Sequence, residues 1–369
     1  MMPPQPPQHV HGSMRVAETG PVAIVGGSGF IGCNLADSLL SDGETVTVID
    51  NLSRPGVEQN LAWLKERHGE RVQHHRADVR DLGTVEPVLK DAKAVFHLAA
   101  QTAVTTSLVD PLDDFETNAR GTINLLEAVR RTGRRVPVIF ASTNKVYGGL
   151  DDLAMVGLDD RYIPEDAELR ARGVDESRGL DFCTPYGCSK GVADQYVLDY
   201  AKSYELPTAV LRMSCIYGPR QFGTEDQGWV AHFLIRALAG EPITIYGDGR
   251  QVRDILHVSD AVAAYRAVLD RIEQVKGQAF NLGGGPHNAV SLQLLLIEIA
   301  RIVGRETQVS HGDWRKGDQL YFVADTNKLE TMLGWKPRIA WRDGVRDLAQ
   351  WLAEHRFGRS TVQAWRITA

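Results

Sequence analysis

Short apolar runs alternate with segments of helical periodicity through the first part of this chain. The apolar runs predict strands at 22–25, 45–49, 72–75, 94–98, 136–140 and 208–213, and the periodic segments between them include 30–41, 113–131 and 186–200. Strands that are apolar on both faces and are joined by crossover helices form buried parallel sheets. The pattern therefore predicts an α/β fold with a doubly wound parallel sheet.

The pattern becomes irregular after residue 217. Residues 218–249 hold glycine, proline and aromatic residues around one helical segment, a strand at 278–282 is expected to return to the sheet edge, and helical periodicity resumes at 291–303 and 341–354. In open α/β sheets a ligand binds outside the carboxyl ends of the strands. We therefore expect a smaller, discontinuous C-terminal lobe to close a substrate cleft at that edge.

These changes divide the chain into two lobes and two tails. The sheet domain is predicted to comprise residues 21–216 and about 256–285, and the substrate lobe 217–255 and 286–357. Residues 1–20, which are rich in Pro, Gln and His, are expected to be a disordered tail or an expression remnant. Residues 358–369 are expected to be a C-terminal tail.

Composition narrows the class of protein. The 369 residues are 43% hydrophobic and 24% charged, which is ordinary for a soluble globular enzyme. A net charge of −6 disfavours nucleic-acid and membrane partners, which need a concentrated basic surface. No apolar run is long enough to cross a bilayer and the N-terminus lacks the apolar core of a signal peptide, so a cytoplasmic location is expected.

The four cysteines are predicted to be reduced thiols. Cys33, Cys183, Cys188 and Cys215 form no C-x-x-C pair, and no histidines stand at the spacing of metal ligands. We therefore expect no metal site. A disulfide between Cys183 and Cys188 is the less favoured alternative.

A glycine-rich turn opens the sheet domain. Gly26, Gly29 and Gly32 follow the first predicted strand and begin a helix, where they permit a tight turn, close approach of a pyrophosphate and close helix packing. Asp50 ends the next strand, where it is expected to accept hydrogen bonds from an adenosine ribose. Because a carboxylate repels a 2′-phosphate, we predict a Rossmann-type domain that binds NAD, and nearby Arg54 leaves NADP as the alternative. A glycine-rich turn without a ligand is the other alternative.

Further residues, most of them at strand ends, are predicted to line the cofactor groove. They are Ser28, Phe30 and Ile31 in the turn, Asn51, Ser53 and Arg54 after the second strand, Asp78 and Val79 after the third, Leu98, Ala99, Ala100 and Gln101 after the fourth, and Thr117, Ala141, Ser142 and Met213. An ordinary strand-end loop is the alternative for each of these segments.

Tyr186 and Lys190 form the candidate reaction centre. Thr184 can cap a helix and Pro185 suits its first position, so the tyrosine and the lysine fall one turn apart on the same face. An ammonium beside a phenol favours the phenolate, which would exchange a proton with a sugar hydroxyl near neutral pH. Both side chains are also expected to contact the cofactor. An ordinary surface pair is the alternative, and the glycine-rich turn upstream is what favours catalysis.

Thr143 is the third catalytic candidate, because it follows the strand predicted at 136–140. Its hydroxyl is expected to contact the substrate by hydrogen-bonding the reacting oxygen, so that Thr143, Tyr186 and Lys190 act as one group. A Ser/Thr turn at a strand end is the alternative.

Together these segments resemble the extended short-chain dehydrogenase/reductases that act on nucleotide sugars, the NAD-dependent epimerase/dehydratase family. The resemblance covers nearly everything from residue 22 to residue 351. It includes 118–124, which is similar to the central helix of the family, and 211–219, which is similar to its nicotinamide-side loop. Within the family, the segments 142–148, 185–190, 193–196 and 226–230 look most like the 2-epimerases of CDP-sugars.

The resemblance implies an epimerase that inverts carbon 2 of a CDP-hexose, by oxidation to a 2-ketosugar and re-reduction on the opposite face. Carbon 2 comes from the resemblance alone, so a 4-epimerase is the alternative. The sugar 4,6-dehydratases carry Asp-Glu after the threonine, whereas this chain has Asn144 and Lys145, which offer no acid and base for the loss of water. A dehydratase and a non-catalytic dinucleotide-sensing protein are therefore weaker alternatives.

The resemblance also assigns residues and partners to the substrate side. Arg253 and Arg315 match the phosphate-facing arginines of the family, and a solvated surface arginine is the alternative for each. Weaker candidates are Gln227, Ile245, Tyr246 and Asp318, and Asn144 either contacts the sugar or only stabilises its turn. The implied partner is a nucleotide-diphosphate sugar, with a CDP-hexose favoured. Helices 113–131 and 186–200 suit the four-helix interface common in the family, so a homodimer or homotetramer is expected.

Overall fold

A seven-stranded sheet forms the centre of the computed structural model, which describes residues 15–16 and 19–357. Its strands are β1 (Val22–Val25), β2 (Val46–Ile49), β3 (Val72–His75), β4 (Ala94–His97), β5 (Val138–Thr143), β6 (Thr208–Met213) and β7 (Gln278–Leu282). They lie in the order β7-β6-β5-β4-β1-β2-β3, and all neighbours are parallel. The strand order reverses between β1 and β4, so a crevice opens at their carboxyl ends. The predicted fold class is confirmed.

Helices cover both faces of the sheet. One face is covered by the helices Phe30–Ser41, Val57–His68 and Val258–Asp270. The other face is covered by Leu82–Leu89, Gly121–Arg131 and Thr184–Ser203, which we call the long helix. Side chains alternate along a strand, so Val22 and Ile24 enter the first core while Ala23 and Val25 enter the second. Burial on both faces explains why these strands read as continuous apolar runs.

The helix predicted at 113–131 is present, but it changes type in the middle. Pro111–Phe115 and Gly121–Arg131 are α-helical, and Glu116–Arg120 between them is a π-helix. Within this wider turn Asn118 is 2% exposed, and its amide bonds the loop after β4 and the long helix. A hydrophobic period carries no signal for an inward polar side chain, so the sequence could not show the change of helix type.

The small lobe has a core of its own. Helices Trp229–Ala239, Leu292–Val303 and Trp341–Arg356 pack their apolar faces together. One sheet has four strands, which are Cys215–Tyr217, Val252–His257, Ala289–Ser291 and Tyr321–Phe322. Two further sheets have two strands each: Ile243–Tyr246 with Val309–Gly312, and Met155–Gly157 with Tyr162–Pro164. Short α-helices outside this core include Val104–Val109, Ala167–Arg172, Ile272–Val275 and Asn327–Leu333. Most of these strands are too short to give a clear period, and the sequence did not predict them.

The hairpin of Met155–Gly157 and Tyr162–Pro164 contacts the small lobe. The backbone nitrogen of Tyr162 donates to the carbonyl of Arg250 at 2.9 Å, and its hydroxyl donates to Asp248 at 2.6 Å. The predicted sheet domain, 21–216, thus contains a segment that lies against the other lobe.

The chain termini are described only in part. Arg15–Val16, within the tail predicted at 1–20, pairs in parallel with Arg134–Arg135. Residues 1–14, 17–18 and the whole tail predicted at 358–369 lie outside the described residues. Among the helices that the structure describes, none has the length and apolar character needed to cross a membrane.

Candidate active site

The glycine-rich turn brings backbone segments close together at the end of β1. Gly26 has φ +82°, and a Cβ atom there would lie 2.6 Å from the nitrogen of Ala99. Gly29 is the N-cap of the helix Phe30–Ser41 and gives it no side-chain cap, so the first-turn amides remain available to a ligand. Such amides bind phosphate oxygens. The turn therefore presents a cradle of backbone donors of the kind that a pyrophosphate needs.

Two carboxylates follow β2 and β3 beside this turn. Asp50 accepts hydrogen bonds from the backbone nitrogens of Ser28 at 3.0 Å and Leu52 at 2.9 Å, and burial raises its pKa. Asp78 accepts from the Asn51 amide at 2.9 Å, and the hydrogen bonds from Arg80 lower its pKa to about 2. Ser53 is exposed and donates from its backbone to the Asn51 side chain at 3.0 Å. Asp50, predicted to face a ribose, and Asp78, predicted to line the groove, thus follow adjacent strands of the sheet.

Arg54 extends towards the small lobe. Its guanidinium donates to the hydroxyl of Thr102 at 3.1 Å and to the side-chain oxygen of Gln227. Its charge also acts on Tyr186, whose pKa it lowers. The guanidinium of Arg54 is therefore already engaged with Thr102 and Gln227. This weakens the argument that Arg54 binds the 2′-phosphate of NADP.

The loop after β4 forms one wall of the groove. Leu98, Ala99, Ala100 and Gln101 are half-buried, as are Phe30 and Ile31 of the turn, Thr117 and Met213, whereas Gly32 is buried. The backbone nitrogen of Gln101 donates to Asn118 at 2.9 Å, and the Asn118 amide donates back to the Gln101 carbonyl at 3.0 Å. Asn118 therefore fixes this wall, a role that we did not assign to it from the sequence.

Three of the residues predicted to line the groove are core residues. Ala141 is 5% exposed and packs in the core on one face of the sheet. Val79 is 5% exposed and packs against Gly121. Ser142 is 1% exposed, and its hydroxyl donates to Asp194 at 2.8 Å. Val79 lies in the turn after β3 and Ser142 lies within β5. Both side chains face the interior, although their neighbours along the chain were predicted to line the groove.

Tyr186, Lys190 and Thr143 meet where the long helix crosses the end of β5. The hydroxyl of Thr184 accepts from the nitrogen of Gly187 at 3.4 Å, which is the predicted capping contact, although Thr184 itself has φ +66°. Lys190 donates from Nζ to the carbonyl of Ala141 at 2.6 Å. Thr143 ends β5 and contacts the phenol of Tyr186.

The comparisons decide the family. The model of the NAD dependent epimerase/dehydratase family matches residues 22–283. The chain belongs to this family. It is 42% identical over 335 residues to CDP-paratose 2-epimerase of Salmonella typhi, with 89% of this chain and 98% of that protein covered.

Two solved structures of the same family share the fold. UDP-glucose 4-epimerase of Thermotoga maritima, with UDP-glucose, matches with a TM-score of 0.78 at 30% identity, over 90% of this chain and 99% of its own. UDP-glucuronic acid 4-epimerase of Bacillus cereus, in complex with UDP-glucuronic acid and NAD, matches with a TM-score of 0.78 at 27% identity, over 90% and 99%. The predicted family and the predicted cofactor, NAD, are confirmed.

The glycine-rich turn of this family member has a second feature that suits a dinucleotide. The Ser28 side chain is fully buried, and its hydroxyl finds no hydrogen-bond partner among the described residues. A buried hydroxyl without a partner costs free energy, which a phosphate oxygen at the turn would recover.

Burial opposes the charged forms of Tyr186 and Lys190 at the reaction centre. Burial raises the pKa of Tyr186 to about 12, while a hydrogen bond with Thr143 and the charge of Arg54 act in the opposite direction. The ammonium of Lys190 lies on the Ala141 carbonyl and 4.1 Å from the centre of a phenylalanine ring, and burial lowers its pKa to about 7. Burial therefore outweighs the favourable hydrogen bond and charge at the phenol itself. Ionisation of Tyr186 by Lys190 together with the nicotinamide cation stays a prediction.

Asn144 forms a hydrogen bond between the two lobes. Its amide donates to the side-chain oxygen of Gln319 at 3.1 Å, and Gln319 is fully buried and donates to the carbonyl of Gly148 at 2.7 Å. Of the two roles considered from the sequence, this contact supports the structural one.

The predicted substrate residues gather on the small-lobe side. Arg253 is 7% exposed and forms an ion pair with Asp318 at 2.6 Å. Arg315 stacks 4.0 Å from the ring centre of Tyr246 and donates to a backbone carbonyl of the loop that also carries Gln227. Ile245 is 1% exposed and packs in the small-lobe core, so its side chain is not available to a substrate.

Lys145 was missed as a site residue. Its Nζ donates to the carbonyl of Gly317 at 3.0 Å and lies 3.9 Å from Asp318. The sequence signal was its position two residues after Thr143, where we considered only its inability to act as an acid or base in dehydration.

Proposed function

We propose that this chain is an NAD-dependent nucleotide-sugar epimerase that inverts carbon 2 of a CDP-hexose. The similarity to CDP-paratose 2-epimerase, which extends over nearly the full length of both chains, carries the choice of carbon and nucleotide. The grouping of Thr143, Tyr186 and Lys190 at the carboxyl end of β5 supports the chemistry.

In the proposed mechanism Tyr186 removes the proton of the carbon-2 hydroxyl, and Thr143 donates a hydrogen bond to the reacting oxygen. NAD⁺, held by the sheet domain, would supply the acceptor and donor for the hydride and a positive charge beside the phenol. The charge of Arg54 and the Thr143 hydrogen bond already lower the pKa of Tyr186 against the effect of burial. Lys190, which donates to the Ala141 carbonyl one helical turn from Tyr186, would supply a further cation. The resulting 2-ketosugar turns its other face before it is reduced.

The residues after Thr143 disfavour the dehydratase alternative. Elimination of water needs an acid and a base beside the sugar, and Asn144 can serve as neither at neutral pH. Its amide is moreover engaged with Gln319. The similarity to solved UDP-sugar 4-epimerases keeps inversion at carbon 4 as the second candidate.

A substrate panel tests the proposal. The protein is incubated with NAD⁺ and with CDP-paratose, CDP-glucose or UDP-glucose, and the products are identified by NMR. We expect inversion at carbon 2 of a CDP-sugar. Inversion of UDP-glucose at carbon 4, with the CDP-sugars unchanged, would instead establish the second candidate.

We further propose that the sheet domain, 21–216 with about 256–285, holds NAD and that the small lobe holds the nucleotide. NAD would contact Gly26, Ser28, Asp50 and the other groove residues with accessible side chains or backbone. The substrate would contact Asp318, Gln227, Tyr246, Arg253 and Arg315.

The free state of all four cysteines supports a cytoplasmic location, where thiols stay reduced.

We also propose that the chain forms a homo-oligomer through its long helix. Val109, Leu112 and Phe115 are 86%, 75% and 47% exposed, and Tyr196 on the long helix is 43% exposed. Exposed apolar side chains in one region mark protein interfaces. Light scattering should give a dimer or tetramer, and Leu112→Lys should shift it towards monomer. A monomeric parent protein would contradict the proposal.

A further inference from the structure

Lys145 lies at the boundary between the two lobes, close to the reaction centre. Its side chain is 19% exposed, and its ammonium donates to the carbonyl of Gly317 in the small lobe. Its backbone nitrogen donates to the hydroxyl of Thr143 at 3.2 Å. A largely buried cation is thus tied through its own backbone to the residue that contacts the reacting oxygen.

The charges around Lys145 do not balance. Lys145 and Arg253 both approach the same carboxylate, Asp318, at 3.9 and 2.6 Å. Burial and the neighbouring arginine lower the pKa of Lys145 to about 8, although Asp318, Cys215 and Cys183 act in the opposite direction. Burying two cations with one anion is unfavourable unless a further anion completes the group. An anionic part of the substrate would supply that charge.

The chemistry of nucleotide sugars indicates which anion reaches this place. The diphosphate is attached to carbon 1 of the sugar ring. Carbon 2 is bonded directly to carbon 1, whereas carbon 4 lies across the ring. An enzyme that acts at carbon 2 must therefore bring the sugar-linked phosphate closer to its proton-transfer residues than an enzyme that acts at carbon 4.

We infer that Lys145 binds the sugar-linked phosphate of the substrate and thereby places carbon 2, instead of carbon 4, at Thr143 and Tyr186. Arg253 would share this phosphate, since it binds the same carboxylate. The contact to phosphate is independent of the carbon that reacts, whereas the choice of carbon rests on the proposed function.

Binding of two ligands tests the phosphate contact. CDP-glucose carries the sugar-linked phosphate and CMP lacks it. Lys145→Met should weaken binding of CDP-glucose by about 10- to 100-fold and that of CMP by less than about threefold, since a hydrogen bond to a charged group is lost in one complex only. Lys145→Arg should restore most of the affinity. Lys316→Met, which removes an exposed lysine of the loop that carries Gly317 and Asp318, is the matched control and should change neither affinity.

Equal weakening for both ligands would show that Lys145 only holds the loop at Gly317, and unchanged affinity for both would show no role at all. Either result overturns the inference. Circular dichroism and thermal unfolding of the three variants exclude a general loss of folding.

The pH dependence gives a readout that a purely structural lysine would not move. Lys145 is cationic below its pKa of about 8 and neutral above it, so wild-type affinity for CDP-glucose should fall as pH rises through that value. The charged and titratable groups that face it are Arg253, Asp318, Cys215 and Cys183. Lys145→Met retains all four of them and should show little of this fall. The same fall in the variant would assign it to another group.

The products of turnover separate the inference from the proposed function. With CDP-paratose, Lys145→Met should lower the ratio of carbon-2 to carbon-4 inversion relative to wild type, and Lys145→Arg should retain it. If wild type inverts carbon 2 but the variant binds CDP-glucose normally, the inference fails and the proposed function stands. If wild type inverts carbon 4 while binding still depends on Lys145, the proposed function fails, the choice of carbon falls with it, and the phosphate contact stands.

Discussion

At the residue scale, the site depends on polar groups whose charges oppose their burial. Tyr186 is 9% exposed and Lys190 is 3% exposed, and burial shifts both pKa values towards the neutral forms. Arg54 and Thr143 counteract this effect at the phenol. At neutral pH only Lys190 lowers the stability of the protein in this way, because the Tyr186 phenol is neutral in the folded and in the unfolded chain alike.

Replacement of Tyr186 by phenylalanine tests the proton-transfer role. Because the ring remains and only the hydroxyl is lost, the fold should be intact while kcat falls by about 10²- to 10⁴-fold. Steady-state epimerisation and circular dichroism measure the two effects. Tyr204→Phe, which changes an exposed tyrosine at the C-terminal end of the same helix, is the control and should leave kcat unchanged. Near-normal turnover of Tyr186→Phe would remove this residue from the mechanism.

Replacement of Lys190 by methionine should stabilise the protein at neutral pH and abolish turnover. The pKa of Lys190 falls from 10.5 to about 7 on burial, so the unfolded chain binds more protons between these values and stability rises with pH across that window. We expect a gain of about 1–3 kcal/mol in the free energy of unfolding at pH 7, declining towards zero near pH 10.5.

Denaturant unfolding at several pH values measures this gain. Lys202→Met, at an exposed position of the same helix, should show neither the gain nor its pH dependence. A Lys190→Met protein that is less stable than wild type at every pH would contradict the electrostatic argument.

At the element scale, the sequence predicted the main sheet well and the segments around it poorly. Apart from the edge strand β3, the strands of this sheet are buried on both faces. Each of them therefore leaves a continuous apolar run that can be recognised without knowing the partner strands. The π-helix Glu116–Arg120 depends on where Asn118 finds partners elsewhere in the fold, and that information is not local.

The same distinction holds for the site. The spacing of Tyr186 and Lys190 and the position of Thr143 are local features and could be predicted. The contacts of Asn144 with Gln319 and of Lys145 with Gly317 join residues 175 and 172 positions apart. Only the packing of the small lobe on the sheet domain brings them together.

A pair of glycine variants tests the cofactor turn. Gly26 and Gly43 both have positive φ, +82° and +94°, but a Cβ atom would meet the backbone of Ala99 at the first and nothing within 4 Å at the second. Gly43→Ala should cost only the backbone strain of about 1–2 kcal/mol and leave NAD binding unchanged. Gly26→Ala should also weaken NAD binding by about tenfold or more, because overpacking displaces the turn. Calorimetric titration with NAD⁺ measures the difference, and equal NAD affinities would contradict the assigned role of the turn.

At the scale of the whole molecule, the reaction centre is assembled from two lobes. The sheet domain contributes the glycine turn, Thr143 and the long helix, and the small lobe contributes Arg253 and Gln319. Arg54 and Asn144 each form a hydrogen bond across this boundary. The proposed substrate cleft therefore lies where the two lobes meet.

The central claim is that hydride leaves carbon 2 and returns to the same carbon from the enzyme-bound cofactor. The most direct test is epimerisation, in ordinary water, of a CDP-hexose that carries deuterium on carbon 2, with the product examined by NMR. The account predicts an inverted carbon 2 that has kept its deuterium, with no net formation of NADH. Replacement of that deuterium by solvent hydrogen, or inversion at carbon 4 with carbon 2 untouched, would contradict it.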